Sequence, residues 1–340
     1  MIAVLGGGVA GASVARALAL AGRRDVVVFD PRQPGEGSTG RAMGGFRLQH
    51  GSALNIELAR RSRPYFAERA ERVRFRSNGY LYLAETDEMA GELRRRADFQ
   101  ASCGVAVEHP DPAQLVPGIE VDEIRAVNYC AQDGLYIPLL VLQSFIEEGR
   151  AAGVDYRYGV TAGASDLAGA EAIVIAAGTW SGEVGRSLGV EFQVEAVERG
   201  LWFAGPFDWL SDTIPMTLDA GSGYHFRERD GRLLVMGPGD QREWGHYREW
   251  LSRRLPRAAV AAPESQWTGN YEVSFDHHAL VGATERPGVW ACCGFSGHGV
   301  MQAPIVGECL AALITGGVAP LDISALDPLR TEPLRDSTQL

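Results

Sequence analysis

Residues 2–22 read IAVLGGGVAGASVARALALAG: four apolar residues run straight into glycines spaced Gly6-x-Gly8-x-x-Gly11, and an apolar helical segment follows to about Ala21. The β-branched run DVVVFD, residues 25–30, closes on Asp30, nineteen residues after Gly11. A strand, a glycine turn, a helix and a second strand ending in an acid make a βαβ unit of the kind that binds dinucleotides. Gly6 is expected to make the tight turn, Gly8 to admit a pyrophosphate against the backbone, and Gly11 to let helix and strand pack closely. Val9 and Ala10 open the helix whose N-terminus would face the phosphates. Asp30 would accept from ribose hydroxyls, and its charge would repel a 2′-phosphate.

This motif is common to NAD and FAD sites, and the next segment separates them. Residues 37–51, GSTGRAMGGFRLQHG, form a small-residue loop that carries Arg41 and Arg47, six positions apart, and His50. An NAD enzyme would normally continue into another βαβ unit. Here a helix begins near Ser52, which can serve as its N-cap. A strand-like GYLYLAE, residues 79–85, then replaces the parallel crossover.

A chain of 340 residues has room for one large domain or two intertwined ones. With 46% hydrophobic and 22% charged residues, its composition is that of a globular protein. A net charge of −11 and the lack of a basic stripe argue against a nucleic-acid partner. All 32 basic residues are arginine, so no lysine can enter a mechanism. The five cysteines (Cys103, Cys130, Cys292, Cys293 and Cys309) show neither a disulfide framework nor metal spacing. Cys292 and Cys293 read as small core residues of a strand. The apolar opening lacks the basic flank of a secretory signal, and no other run is long enough to span a bilayer. A cytoplasmic protein without a transmembrane segment is expected.

Near the other end, CCGFSGHGVMQAP, residues 292–304, surrounds His298 with Gly294, Gly297 and Gly299. Pro304 is expected in the first turn of the apolar helix IVGECLAALI, which ends at Gly316 and Gly317. A glycine-lined loop that feeds a helix N-terminus suits an electron-rich group. AIVIAAGTW, residues 172–180, reads as a buried parallel strand that meets the cofactor at Ala177 and Gly178. GYHFRERDGRLLVMG, residues 223–237, reads as a hairpin turning at Asp230-Gly231.

Taken in order, the N-terminal glycine turn, STGRAMGGFR (38–47), DGLYIP (133–138), AIVIAAGTWS (172–181), WTGNYEVSFDHHALVG (267–282) and GFSGHGVMQAP (294–304) resemble the D-amino-acid oxidase superfamily of FAD enzymes. The resemblance covers nearly the whole chain. It implies a mixed α/β fold, with a Rossmann-like FAD-binding domain of residues 1–74, 136–192 and 271–330. An antiparallel-sheet substrate domain of residues 75–135 and 193–270 would be interleaved with it. Beyond the glycine turn and Asp30, it assigns to FAD Pro31, Arg32, Ser38, Thr39, Arg41, Gly44 and Gly45. The backbone of Val160 would meet the adenine, and Trp180, which by itself reads as core, would lie near the phosphate arm. The amides of Gly299, Val300 and Met301 would stabilise negative charge on the N1–C2=O edge of a reduced flavin. His298 is expected to shape its turn by hydrogen bonding to backbone.

For the substrate, the resemblance puts Arg47 where relatives keep an arginine, and its planar guanidinium can bind a carboxylate bidentately. Tyr224 falls where relatives place a carboxylate-binding tyrosine. His50 and Tyr271 fall at other active-site positions. Met301 replaces a lysine of sarcosine oxidase, and Gly269 replaces its flavin-linking cysteine, so FAD is expected to be non-covalent. The implied activity is oxidation of an amino acid or secondary amine to an imine, with hydride passing to flavin N5. The missing lysine points to a dehydrogenase with a quinone acceptor. A peroxide-forming oxidase that uses oxygen and a flavin-holding subunit of a larger dehydrogenase are the alternatives.

Overall fold

A computed structural model describes residues 1–239 and 242–334. The apolar run Ile2–Leu5 lies inside a six-stranded sheet. Across it the order is Leu280–Ala283, Val289–Cys293, Ala172–Ile175, Ile2–Leu5, Val26–Asp30 and Asp155–Tyr158. All neighbours are parallel except the edge strand Leu280–Ala283. A parallel sheet covered on both faces needs continuous apolar strands. Ile2, Ala3, Val4, Val174 and Ile175 are accordingly all fully buried. Helices Val9–Leu20 and Gly299–Ile314 pack tightly against each other, and Ser13 Oγ donates to the Ala303 carbonyl at 2.6 Å.

The second sheet has seven strands, ordered Pro263–Ser274, Val194–Ala204, Arg232–Met236, His225–Arg229, Met216–Asp219, Tyr80–Ala84 and Ala126–Cys130. Only the Met216–Asp219 and Tyr80–Ala84 pair is parallel. Its outer face packs on helix Trp244–Arg254 through Tyr247, Trp250 and Leu251. On its inner face one register line crosses six strands: Leu201, Met236, His225, Leu218, Tyr82 and Asn128. Strand Pro263–Ser274 runs without interruption through position 270, so the two expected domains share an element there.

Several local expectations can be compared directly. Asp230 and Gly231, at φ 55° and 75°, make the left-handed turn between the hairpin strands. Ser52 Oγ accepts from Asn55 N at 3.1 Å and caps helix Ala53–Glu68. The late helix, however, begins at Gly299, so Pro304 lies inside it rather than in its first turn. Lacking an N–H, Pro304 leaves the Val300 carbonyl without its helical donor. Trp180 is not core either: it is 37% exposed, with the Arg32 guanidinium 3.8 Å from its ring centroid.

Arg227 ties the seven-stranded sheet to the Met43–Gly44 loop and to Tyr136. It is 1% exposed, and its Nη1 donates to the carbonyls of Met43, Gly44 and Tyr136 at 3.0, 2.7 and 2.9 Å. Among the described residues, no helix is long and apolar enough to cross a membrane.

Candidate active site

The glycine turn is built by close backbone approach. Gly6 has φ 112°, and a Cβ on Gly11 would fall 1.9 Å from the Gly6 oxygen. Helix Val9–Leu20 starts from this turn with no side-chain cap, so the amides around Ala10 and Gly11 depend on a ligand or water. Thr39 Oγ1 accepts from Val9 N at 3.1 Å. Asp30 stands over the turn: its carboxylate accepts from Gly7 N at 2.7 Å and from Arg32 N at 2.8 Å. The exposed Val160 donates its N–H to the Asp30 carbonyl at 3.0 Å, beside the Pro31–Arg32 loop. Ala177, Gly178 and Trp180 follow the neighbouring strand Ala172–Ile175. These groups form one edge, at the carboxyl ends of the parallel strands.

Next to that edge a cavity of about 620 Å³ opens between the sheets. One wall consists of Val9, Ser38, Thr39, Arg41, Gly44 and Gly45, together with the loop from Phe295 to Met301. Gly297 has φ 90°, and a Cβ there would come within 2.7 Å of the Tyr271 ring. Gly294, φ 70°, lies just before this loop. Helix Gly299–Ile314 has no side-chain cap, so the amides of Gly299, Val300 and Met301 lack intrahelical acceptors. The opposite wall is the inner face of the seven-stranded sheet.

Arg47 projects between the walls. Its Nη1 donates to Tyr82 Oη at 2.8 Å and to the Gln49 carbonyl at 3.4 Å. Its Nη2 lies 2.9 Å from His298 Nε2. A guanidinium can only donate, so His298 Nε2 accepts and carries no proton. His298 therefore orients Arg47 rather than bonding backbone through its ring, which corrects the expectation. Burial, and then the Arg47 charge, hold its imidazole well below the ordinary value. His50, 3% exposed, packs edge-on to His298 with ring centroids 5.1 Å apart. Burial, Arg47 and His298 also keep His50 neutral, and its Nε2 is buried with no hydrogen-bond partner among the described residues.

Behind Arg47, the buried Asp133 accepts from Leu48 N at 2.6 Å and from Gln49 Nε2 at 2.9 Å. Burial pushes this carboxyl up to about 7. Tyr271 lines the cavity as expected of a site residue, with the Arg199 guanidinium 5.6 Å from its ring centroid.

Tyr224 lies elsewhere. It stacks on Trp250, with centroids 5.4 Å apart, and meets Tyr247 edge-on on the outer face of the sheet. The period of two along a strand explains this, because His225 and Arg227 share the inner face and Tyr224 and Phe226 point away. His225 thus takes the cavity position expected for Tyr224. Sequence reasoning also missed Tyr82, Gln49, Asp133, Arg199 and Glu272. A signal for Tyr82 existed in the alternation of YLYLA, but the facing strand was needed to say which tyrosine turns inward.

The residues present fit FAD. The glycine turn and Asp30 suit an adenosine diphosphate moiety, and the two uncapped helix ends offer amides to phosphate and flavin oxygens. The chain matches the DAO family, described as "FAD dependent oxidoreductase", over residues 1–313. It is 28% identical to mitochondrial dimethylglycine dehydrogenase of Rattus norvegicus across 96% of this chain, and it spans only 44% of that enzyme's length. Glycine oxidase of Geobacillus kaustophilus is 24% identical, with 95% of each chain covered. The crystal structure of L-proline dehydrogenase from P. horikoshii superposes with a TM-score of 0.88, covering 98% of both chains at 24% identity, which is a likeness of fold. With the glycine turn, the interleaved sheets and the family match agreeing over almost all of its length, the chain belongs to the DAO family of FAD-dependent oxidoreductases.

Proposed function

We propose that the chain oxidises the C–N bond of an amino acid or N-alkyl amino acid and passes the electrons to an acceptor other than oxygen. Arg47 carries this reading. It is a guanidinium inside the cavity whose hydrogen-bond partners are Tyr82, His298 and one carbonyl, with no carboxylate within 4 Å among the described residues. Those three bonds leave Nε–H and one Nη2–H for a bidentate carboxylate. Bound FAD supplies the two-electron acceptor.

In this reading Arg47 fixes the substrate carboxylate, and the wall opposite the glycine loop sets the position of Cα–H. The arginine charge and the neutral histidines disfavour an ammonium ion, so the amine is taken up in its neutral form. His50 contributes an uncharged ring to the cavity wall beside Arg47 and His298. The relatives named for dimethylglycine and glycine support a carboxylate-bearing amine as the substrate class.

FAD is held without a covalent bond, since Gly269 offers no thiol and Cys103 is the only cysteine that is not buried. Residues 1–74, 136–192 and 271–330 would serve FAD, and 75–135 and 193–270 the substrate. The five free thiols suit a reducing, cytoplasmic setting. The proposed acceptor is a quinone, because no lysine is available to stabilise a nascent superoxide and the buried His50 and His298 stay neutral. The test is anaerobic reduction of the bound flavin by a panel of amino acids and N-methyl amino acids, followed by stopped-flow reoxidation. Reduction by this class, with reoxidation by a quinone outpacing that in air-saturated buffer, is the expected result. A flavin that no member of the panel reduces would overturn the substrate reading, and fast reoxidation by oxygen would make the enzyme an oxidase.

A further inference from the structure

Besides Arg47, the cavity is lined by Arg41, whose Nη1 donates to the Thr268 carbonyl at 3.0 Å, by Arg96, which pairs with Glu92, and by Arg199, a cation that the carboxylate clamp does not use. Arg199 comes from strand Val194–Ala204, directly opposite Gly269 on the neighbouring strand. Its Nη1 donates to the Gly239 carbonyl at 3.0 Å, and the remaining N–H groups have no carboxylate within 4 Å among the described residues. The adjacent Glu198 is taken up by Arg242.

Arg199 and Arg47 line the same cavity together with Tyr271 and His225, and the Arg199 guanidinium lies 5.6 Å from the Tyr271 ring centroid. His225 gives its Nδ1–H to the Gly223 carbonyl at 2.9 Å, which leaves Nε2 as an acceptor and the ring neutral.

The anions available do not balance the two arginines. Asp276 is bonded to Arg330 at 2.7 Å. Glu272 is held at the amides of Gly294 and Phe295, and burial keeps its carboxyl partly protonated near neutral pH. The charges of FAD are phosphates, provided for at the Gly6–Gly11 turn. Arg47 and Arg199, each without a carboxylate within 4 Å among the described residues and with Tyr271 and the uncharged His225 in the same wall, suit a ligand with two negative charges.

We propose that Arg199 binds a second anionic group of the substrate, so that the preferred substrate is an amino acid or N-alkyl amino acid with a distal carboxylate. This rests on the reading above, in which Arg47 takes the α-carboxylate. Arg199 is a specificity residue and not part of the oxidation chemistry. Exchanging the distal carboxylate for a carboxamide of the same shape removes the charge and keeps the size.

The experiment uses the FAD-loaded enzyme and reads binding without turnover. Glutarate and its monoamide, neither of which can reduce the flavin, are titrated against the flavin absorption spectrum. Glutarate should bind about 10- to 100-fold more tightly, the range for a partly buried charge pair. In Arg199→Gln that ratio should fall towards one, and Arg199→Lys should restore part of it. Anaerobic reduction should rank glutamate and N-methylglutamate above glutamine and N-methylglutamine in the same ratio. Equal binding of glutarate and its monoamide by the unaltered enzyme would overturn the proposal, whatever the variants do. An unchanged ratio in a folded Arg199→Gln would also overturn it. Failure of the underlying reading looks different: no amino acid reduces the flavin, and Arg47→Met leaves the binding of simple monocarboxylates as it was.

Discussion

The two walls of the cavity do similar work with different materials. Around Gly6–Gly11 and Phe295–Met301 the wall is backbone, consisting of tight turns, close approach and uncapped helix amides. On the seven-stranded sheet it is side chain: Tyr82, His225, Leu218, Met236 and Tyr271 project from a regular ladder whose own hydrogen bonds are satisfied within the sheet. A backbone wall tolerates very few sequences, whereas a side-chain wall can change its ligand without changing its strands.

The contrast breaks most sharply at Gly11. Gly11→Val drives a branched side chain into the Gly6 oxygen, 1.9 Å from the Cβ position, and should cost more than about 4 kcal/mol and abolish FAD binding. A yellow, normally melting variant would show that the turn does not depend on this contact. On the opposite wall, Arg47→Met should leave the colour and weaken substrate binding by about 2–5 kcal/mol. An unchanged substrate dependence of flavin reduction would remove Arg47 from the clamp.

Asp133 supports Arg47 from behind and gives a smaller, pH-dependent effect. Burial raises its folded pKa to about 7, well above the unfolded value, so the folded state holds the extra proton. Its contribution to stability is full below about pH 4 and is lost as pH rises through 7. Asp133→Asn should flatten that part of the profile in denaturant titrations between pH 4 and 8, and an unaltered slope would assign the loss to other groups. The smallest effect tests the register. Tyr224→Phe should change substrate binding by less than about 0.5 kcal/mol, while His225→Leu should shift it by roughly 1 kcal/mol. Equal shifts would mean that the outer face of the sheet communicates with the cavity.

The same division explains what could be read in the chain. Gly6, Gly11, Asp30, Ser52 and the Asp230-Gly231 turn each have a local reason that adjacent residues reveal. Tyr224 and His225 differ by one position, and only the pairing of His225 with Leu218 and Met236 decides which faces inward. His298 was visible as a residue, but its partner Arg47 lies 251 positions away. Arg199 in isolation looks like any charged residue on an exposed strand. Pro304 suggested a helix start because proline favours the first turn, yet packing of Ala303 on Ser13 extends the helix back to Gly299.

Arg227 has a consequence for how the protein loses its cofactor. The loop Met43–Gly44, which lines the cavity, is held by a buried guanidinium on a strand of the seven-stranded sheet and by the Tyr136 amide, which donates to the Gly44 carbonyl at 3.0 Å. That loop cannot swing aside while the sheet stays intact, because the charge would be left in the interior without its carbonyls. The expected consequence is that FAD is released only as the seven-stranded sheet opens. On heating, the yellow colour and the helical signal should disappear together, and amides of the loop should exchange with deuterium as slowly as those of the strands it bridges.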